Sequence, residues 1–451
     1  MAECPYRRIL LLGSGYVAGP CLEYLWRRKD YLITIGARHA DASIALAKGR
    51  ERISPICVDV CDEPGLDRQV LKHDIIISLI PYTQHAKVIK SAVKYGKHVV
   101  TTSYISPAMM EFDQAAKDKN LTIFNEIGVD PGIDHLYAVK TISEVHALGG
   151  KITCFTSYCG GLPAPEHSNN PLGYKFSWSA RGVLMALRNN AKFLQDGNVV
   201  EIPGPQLMDS AKPIYIYPAF AFEGYPNRDS TPYTERYHIP EAKTVLRGTL
   251  RYQGFPKFIK ALITLGMLSE EPLDYLDPAA AEISWKVLMS KLLPTSSQRE
   301  SDLIAAVIEK AKLQASEAHR ITRGLKWLGL FSDQPAPRLG NIMDTLCATL
   351  GAKMQYKQGE RDMTMLQHVF EVELPDGTQQ TRTSTGLWFG VPGGHTSMAT
   401  TVGIPCAIAT QLILDGVITR RGVVAPLDDE LVKPLLEKLE GEGIRMVEEI
   451  L

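Results

Sequence analysis

The sequence has almost no net charge (−1 over 451 residues), no apolar run as long as a membrane span and no Cys-x-x-Cys pair. Nucleic acids and anionic membrane surfaces are bound through an excess of Lys and Arg, so neither is expected as a partner. A span needs about 20 consecutive apolar residues, so no membrane segment is expected, and the start of the chain shows no signal-peptide pattern. Eight cysteines are too few for a disulfide scaffold in a chain of this length. They are expected to be reduced and the protein cytoplasmic. The pairs Cys57/Cys61 and Cys154/Cys159 lack zinc-site spacing, and no metal is expected. Ser157-Tyr158 and Ser177-Trp178-Ser179 supply hydroxyls, but no serine–histidine arrangement of a nucleophilic enzyme accompanies them.

What the chain does have is a globular composition, 45% hydrophobic and 22% charged, and length for about three domains. Its organising stretch is Ile9-Leu-Leu-Leu-Gly-Ser-Gly-Tyr-Val-Ala-Gly19. Four apolar residues suit a strand buried on both faces. Gly13 and Gly15 allow a tight turn and close backbone approach to a ligand, and Ala18 is the small residue where the next helix packs on the strand. The helix expected over Val17–Trp26 would offer its first-turn N–H groups to a pyrophosphate. G-x-G-x-x-A between a strand and a helix predicts dinucleotide binding.

Tyr31–Gly36 reads as the second strand, followed by Ala37-Arg38-His39. An acidic residue here binds the ribose 2′-hydroxyl of NAD, whereas a basic one pairs with a 2′-phosphate. Arg38 therefore points to NADP; the alternatives are a merely solvated arginine, or Asp41 on a ribose hydroxyl. Further strands are expected over Ile53–Val60 (ending near Asp59, at an adenine edge), Asp74–Ile80, His98–Thr102 and Leu121–Phe124, with helices between. This alternation is a doubly wound parallel sheet. Its ligands collect beyond the carboxyl ends of the strands, which places Ile80, Thr102-Ser103-Tyr104 and the segment after Phe124 beside the cofactor. That segment, Asn125-Glu-Ile-Gly-Val-Asp-Pro-Gly-Ile-Asp-His135, sets Asp130 within a Gly/Pro-fixed turn. Asp130 could equally cap the helix expected from Ile133 to His146.

Beyond Gly149-Gly150 the pattern changes to a mostly antiparallel sheet. Strands are expected at Lys151–Tyr158, Asn198–Ile202, Pro213–Tyr217 and Lys243–Tyr252. A hairpin joins Met363–Leu374 to Thr378–Val391 through Pro375-Asp376-Gly377. A helix is expected over Lys175–Asn190. Residues 256–356 show helical spacing in five segments. His319 and His368 read as packing or surface residues. The expected fold is thus α/β. A Rossmann-type doubly wound domain spans residues 1–130 and 392–451, a substrate-binding and dimerisation domain spans 131–255 and 357–391, and an all-helical insertion spans 256–356. Exposed edges of the second sheet make a homodimer the expected state. Lys175, Arg181, Arg228 and Arg247-Gly-Thr-Leu-Arg251 form a set of cations, expected on loops, with Arg228 exposed by the turn-rich Gly224-Tyr-Pro-Asn227 before it. Guanidinium groups clamp carboxylates, so several of them at a nicotinamide imply a substrate with more than one carboxylate.

Gly13-Ser-Gly-Tyr-Val-Ala, Glu126-Ile-Gly-Val-Asp-Pro-Gly-Ile-Asp-His, Leu246-Arg-Gly-Thr-Leu-Arg-Tyr and Gly416-Val-Ile-Thr-Arg-Arg-Gly-Val resemble the saccharopine reductase family along nearly the whole chain, without departure from its motifs. The resemblance implies NADPH-dependent reduction of the imine of L-glutamate and L-2-aminoadipate 6-semialdehyde to saccharopine, in lysine biosynthesis. It implies that Gly13, Ser14, Gly15, Tyr16 and Val17 hold the pyrophosphate. Arg38, between Ala37 and His39, would hold the 2′-phosphate, and Cys57, Val58 and Asp59 would flank adenine. Ile80, Ser103, Val129, Asp130, Pro131 and Lys175 would line the rest of the cofactor. Ser103, Tyr104, Asp130, Arg228, Thr249, Leu250 and Arg251 would bind substrate. Asp130 is expected to act electrostatically on the nitrogen that becomes cationic. A carboxynorspermidine dehydrogenase-like imine reductase and a non-catalytic NADP-binding sensor are the competing readings.

Overall fold

The computed structural model describes residues 6–177 and 179–451; residues 1–5 of the expected nucleotide domain, and Trp178, lie outside them. The chain forms two compact units: Met1–Thr153 with Thr234–Glu241 and His368–Leu451, and Cys154–Tyr233 with Ala242–Gln367.

The first unit is built on a seven-stranded sheet. Its order is Gly422–Val424, Thr122–Phe124, His98–Thr101, Ile75–Ser78, Arg7–Leu12, Tyr31–Ala37, Ile53–Cys57, every neighbouring pair parallel. Ile9 to Leu12 and Ile75 to Ile77 are completely buried, as strands covered on both faces must be. The order reverses between Arg7–Leu12 and Ile75–Ser78, and a doubly wound sheet opens its ligand crevice at such a point. The short strand Gly422–Val424, which the sequence reading left out, extends the sheet beside Thr122–Phe124. Helix Ser397–Leu414 packs on helix Ala18–Trp26, so the C-terminal part of the chain does return to the nucleotide sheet. This helix corrects the expectation of no span-length apolar run: it is long and apolar enough to cross a membrane, but 72% of it is buried inside the protein. Its apolar surface is core.

In the second unit, Lys212–Ile214, Phe222–Pro226 and Thr244–Tyr252 pair antiparallel. Thr244–Tyr252 also pairs parallel with the strand that runs through Cys154–Cys159. A hairpin of Ala191–Gln195 and Asn198–Ile202 turns at Asp196-Gly197, both in the left-handed region. Five helices, Phe255–Thr264, Trp285–Leu292, Glu300–Lys310, Ala315–Leu328 and Ile342–Lys353, fall where helical spacing was read. Three expectations are corrected. The helix of Lys175–Asn190 shortens to Ala180–Ala186, so Lys175 is not on it. Gly224-Tyr225-Pro226 is not a loop but part of a strand, buried at all three residues. Arg247 and Arg251, grouped with the loop cations, lie within the strand read over Lys243–Tyr252 and found at Thr244–Tyr252. Glycine and proline suggested turns at these places, but pairing on both sides outweighs local propensity inside a sheet.

Candidate active site

The first-unit residues singled out from sequence collect at the carboxyl edge of the parallel sheet. Gly13 follows Arg7–Leu12 with φ +110°, and a Cβ there would lie 2.6 Å from the Leu79 carbonyl oxygen, so only glycine makes this turn. At Gly15 a Cβ would meet nothing within 4 Å: the backbone faces open space on the ligand side. Val17 precedes helix Ala18–Trp26 and caps no N–H with its side chain. Ser14, Gly15, Tyr16 and Val17 thus leave a helix start whose amides can receive a pyrophosphate. Ala37 ends its strand; Arg38 and His39 follow, both exposed. Among the described residues the Arg38 guanidinium has no carboxylate partner, as a 2′-phosphate ligand requires. Cys57 is exposed at the end of the next strand, Val58 donates its N–H to the Ala37 carbonyl at 2.9 Å, and Asp59 accepts from Cys61 N–H at 2.8 Å. These residues fit an adenine ribose 2′-phosphate and pyrophosphate, read from the open face at Gly15 and the unpaired Arg38.

At the other half of the crevice, Ile80 and Ser103 are half-buried beyond their strands. The hydroxyl of Tyr104 donates to Asp130 Oδ1 at 2.7 Å. Asp130 sits in a knot. Gly128 N–H donates to the Pro131 carbonyl at 2.8 Å, Ile133 N–H to the Gly128 carbonyl at 2.9 Å, and Asp134 N–H to the Val129 carbonyl at 3.0 Å. Gly132 (φ +149°) could not carry a side chain, since its Cβ would lie 2.0 Å from Gly128 O. The helix Ile133–Ala147 has Gly132, not Asp130, at its N-cap, which corrects the capping alternative. Asp130 is held by Tyr104 instead.

Two buried networks behind this edge were not read from the sequence. Glu126 Oε2 accepts from His135 Nε2 and from Arg236 Nη2, each at 2.8 Å, and Glu126 Oε1 accepts from Ile105 N–H at 3.0 Å. His135 Nδ1 lies 2.7 Å from the Tyr237 hydroxyl. Burial pushes the Glu126 carboxyl up, but the His135 hydrogen bond and charge and the Arg236 charge outweigh it and hold the group at about 2. The second network runs Ser78–His85–Ser103. The nine-residue spacing of Glu126 and His135 was visible, but their meeting depends on the Gly132 turn, and Arg236 lies 110 residues further on. His368 is buried on a strand, its Nε2 3.0 Å from the Asp134 carbonyl oxygen, a packing residue as expected.

In the second unit the cations separate into two kinds. Arg181 pairs with Asp344 at 2.9 Å and Glu270 at 2.8 Å on the surface. Lys175 is buried against Glu360 at 2.6 Å; burial raises that carboxyl, but the Lys175 bond prevails and keeps it below its ordinary range. Arg251 differs. Only 6% exposed, it lies over Tyr174 (4.9 Å) and Phe255 (5.3 Å), and Nη1 donates to the Leu250 carbonyl at 2.7 Å. Its Nε is buried without a partner, and no carboxylate among the described residues neutralises it. A desolvated guanidinium in this state is built for an anion. Thr249, half-buried, and Leu250, fully buried, precede it on the strand; Arg228 is exposed just past Phe222–Pro226, with φ +56°.

A doubly wound sheet with a glycine turn at its switch point and a basic residue after the second strand defines a dinucleotide-binding protein of the oxidoreductase type. Residues 9–124 match the saccharopine dehydrogenase NADP binding domain, and residues 128–444 match the saccharopine dehydrogenase C-terminal domain. The chain is 57% identical over 444 residues to the saccharopine dehydrogenase [NADP(+), L-glutamate-forming] of Schizosaccharomyces pombe, covering 98% of this chain and 99% of that one. It is 39% identical to the mitochondrial alpha-aminoadipic semialdehyde synthase of Bos taurus, covering 97% of this chain and 47% of that one. The apo saccharopine dehydrogenase (L-Glu forming) structure from Saccharomyces cerevisiae superposes with a TM-score of 0.92 at 50% identity, over 99% of this chain and 100% of that one. The chain belongs to the saccharopine dehydrogenase family, and its nucleotide site is an NADP site.

Proposed function

We infer that the protein reduces the imine of L-glutamate and L-2-aminoadipate 6-semialdehyde to L-saccharopine with NADPH, reversibly, in the aminoadipate route to lysine. The observation that carries this is the 57% identity across 98% of the chain to a relative named for that reaction. The fold and the two kinds of site support it. Gly13 to Val17 hold the pyrophosphate, Arg38 the 2′-phosphate with Ala37 and His39 beside it, and Cys57 to Asp59 the adenine. Ile80, Ser103 and Val129-Asp130-Pro131 line the nicotinamide half. When bound, NADPH supplies the hydride. A protonated imine carbon is already electron-poor, so the chain's task is orientation and charge placement rather than strong acid catalysis.

Asp130, its carboxylate oriented by Tyr104, stabilises the nitrogen as it carries positive charge. Arg228 and Arg251, with Thr249 and Leu250, take the substrate; saccharopine's three carboxylates match a buried, unneutralised guanidinium. Lys175 is committed to Glu360 and contributes by holding that ion pair. The test is the forward assay: L-glutamate, the semialdehyde and NADPH should yield saccharopine, and omission of glutamate should abolish NADPH oxidation.

A homodimer is part of the same reading. The strand Val447–Ile450 pairs with Gln379–Phe389 on one side, and all four of its residues are exposed, including Val447 and Ile450. Light scattering should give twice the chain mass. The cysteines among the described residues, none of them in a disulfide, and the near-zero net charge favour a cytoplasmic protein working on small molecules, without nucleic acid or membrane.

A further inference from the structure

His85 opens the helix His85–Tyr95 and is 1% exposed. Its Nδ1 lies 2.8 Å from Ser78 Oγ and its Nε2 2.8 Å from Ser103 Oγ, with Thr101 Oγ1 at 3.4 Å from the same Nε2. Thr101 Oγ1 also accepts from Ser103 N–H at 3.0 Å, which fixes the backbone that carries the serine. Burial pushes the imidazole down to about 4, so near neutral pH it carries one proton. Which nitrogen carries that proton is decided by the serines. Ser78 is completely buried, and Nδ1 is the acceptor that the described residues offer its hydroxyl proton. The Nδ1–H tautomer would leave that proton unbonded, at a cost of about 1–3 kcal/mol. The Nε2–H tautomer satisfies Ser78 and donates to Ser103; it gives up Nε2 as an acceptor for the buried Thr101 hydroxyl, but that contact is long at 3.4 Å, against the 2.8 Å bond that the Nδ1–H tautomer would take from Ser78. Ser103 Oγ is then an acceptor toward the protein, and its own proton is left to point away from His85. Ser103 is half-buried at the carboxyl edge of the sheet, where ligands lie.

We propose that His85 is a positioning residue for the imine reductase reaction: as the Nε2–H tautomer it donates to Ser103 Oγ and makes the Ser103 hydroxyl an obligatory donor to a ligand oxygen. The oxygen belongs to a substrate carboxylate or to the nicotinamide carboxamide; both are acceptors, and a serine held as an acceptor would repel both. This rests on the saccharopine-forming reading for the identity of the substrate, but not for the tautomer itself.

The tautomer is read directly by NMR of the full-length wild-type protein labelled with ¹⁵N-histidine, the His85 signals being those missing from His85→Gln. A protonated Nε2 is expected, and a protonated Nδ1 overturns the proposal. The second readout is a double-mutant cycle. Ser103→Ala and His85→Leu should each weaken binding about fivefold, the size of one neutral hydrogen bond. The double variant should be no worse than either alone, and His85→Gln, which keeps an N–H donor, should recover most of the loss. A raised KM for saccharopine at unchanged NADP+ affinity assigns the carboxylate; weaker NADP+ binding assigns the carboxamide. Losses that add in the double variant, or no loss in either affinity, contradict the proposal. If the wild-type protein does not turn over saccharopine, the functional reading fails, while the tautomer and the NADP+ arm still decide the role of His85.

Discussion

Glu126 and His135 meet at 2.8 Å with neither side chain more than 1% exposed. The pair ties the strand end that leads to Asp130 to the first turn of the helix that follows it. Arg236 completes the neutralisation at 2.8 Å. Removing the charge leaves His135 and Arg236 facing a neutral amide. Glu126→Gln should lower stability by about 3 kcal/mol, the usual cost of breaking a buried pair, measured by urea unfolding. The pH dependence has a definite sign. The carboxyl drops from its ordinary 4.5 to about 2 on folding. Its contribution is therefore complete above 4.5 and is lost as pH falls from there toward 2. The variant should lack that part of the acid transition.

His85 predicts an effect at milder pH. Its imidazole falls from 6.5 unfolded to about 4 folded because burial disfavours the charged form. Between those values the unfolded chain binds the extra proton, so stability is complete above 6.5 and declines as pH falls toward 4. His85→Gln, which cannot titrate, should show a shallower decline over this window in unfolding midpoints at stepped pH.

Gly13 and Gly15 should fail differently. At Gly13 alanine would need φ +110° and would press on the Leu79 carbonyl, so Gly13→Ala should cost more than about 1 kcal/mol of stability as well as cofactor binding. At Gly15 alanine meets no protein atom. Gly15→Ala should leave the melting temperature within a few degrees of wild type but weaken NADP+ at least about tenfold, through its methyl group in the ligand's space. Calorimetry with titration of NADP+ separates the two.

Much of the nucleotide half was legible because its signals are local. The apolar run at Ile9–Leu12, the two glycines and the basic residue after the second strand lie within 30 residues of one another. The sequence also showed a turn at Asp130, but not that Tyr104 would orient it, which depends on two neighbouring strand ends. The second unit was less legible. Proline and glycine around Tyr225 signal a turn, whereas pairing with Thr244–Tyr252 makes a strand. That strand was read from the sequence over Lys243–Tyr252, but not that it carries Arg251, grouped there with loop cations, to a desolvated position between aromatic rings. Arg181 and Lys175 looked equivalent to it in sequence, and only their carboxylate partners remove them from the set.

Arg251 leads to an opposed pair of outcomes. A buried guanidinium with no carboxylate is costly to the empty protein and useful to the loaded one. Arg251→Met should leave unfolding free energy unchanged or higher, while raising KM for saccharopine about 10- to 100-fold, as for a lost charge-assisted hydrogen bond. NADP+ affinity should stay within about twofold, well inside the spread for an uninvolved site.

The most direct measurement is a steady-state assay of the purified wild-type protein with saccharopine or carboxynorspermidine as donor, and NADP+ or NAD+ as acceptor. Saccharopine with NADP+ should be turned over to glutamate, with NAD+ a much poorer acceptor and carboxynorspermidine inactive. Turnover of carboxynorspermidine in preference to saccharopine, or cofactor binding without turnover of either, would contradict the assignment.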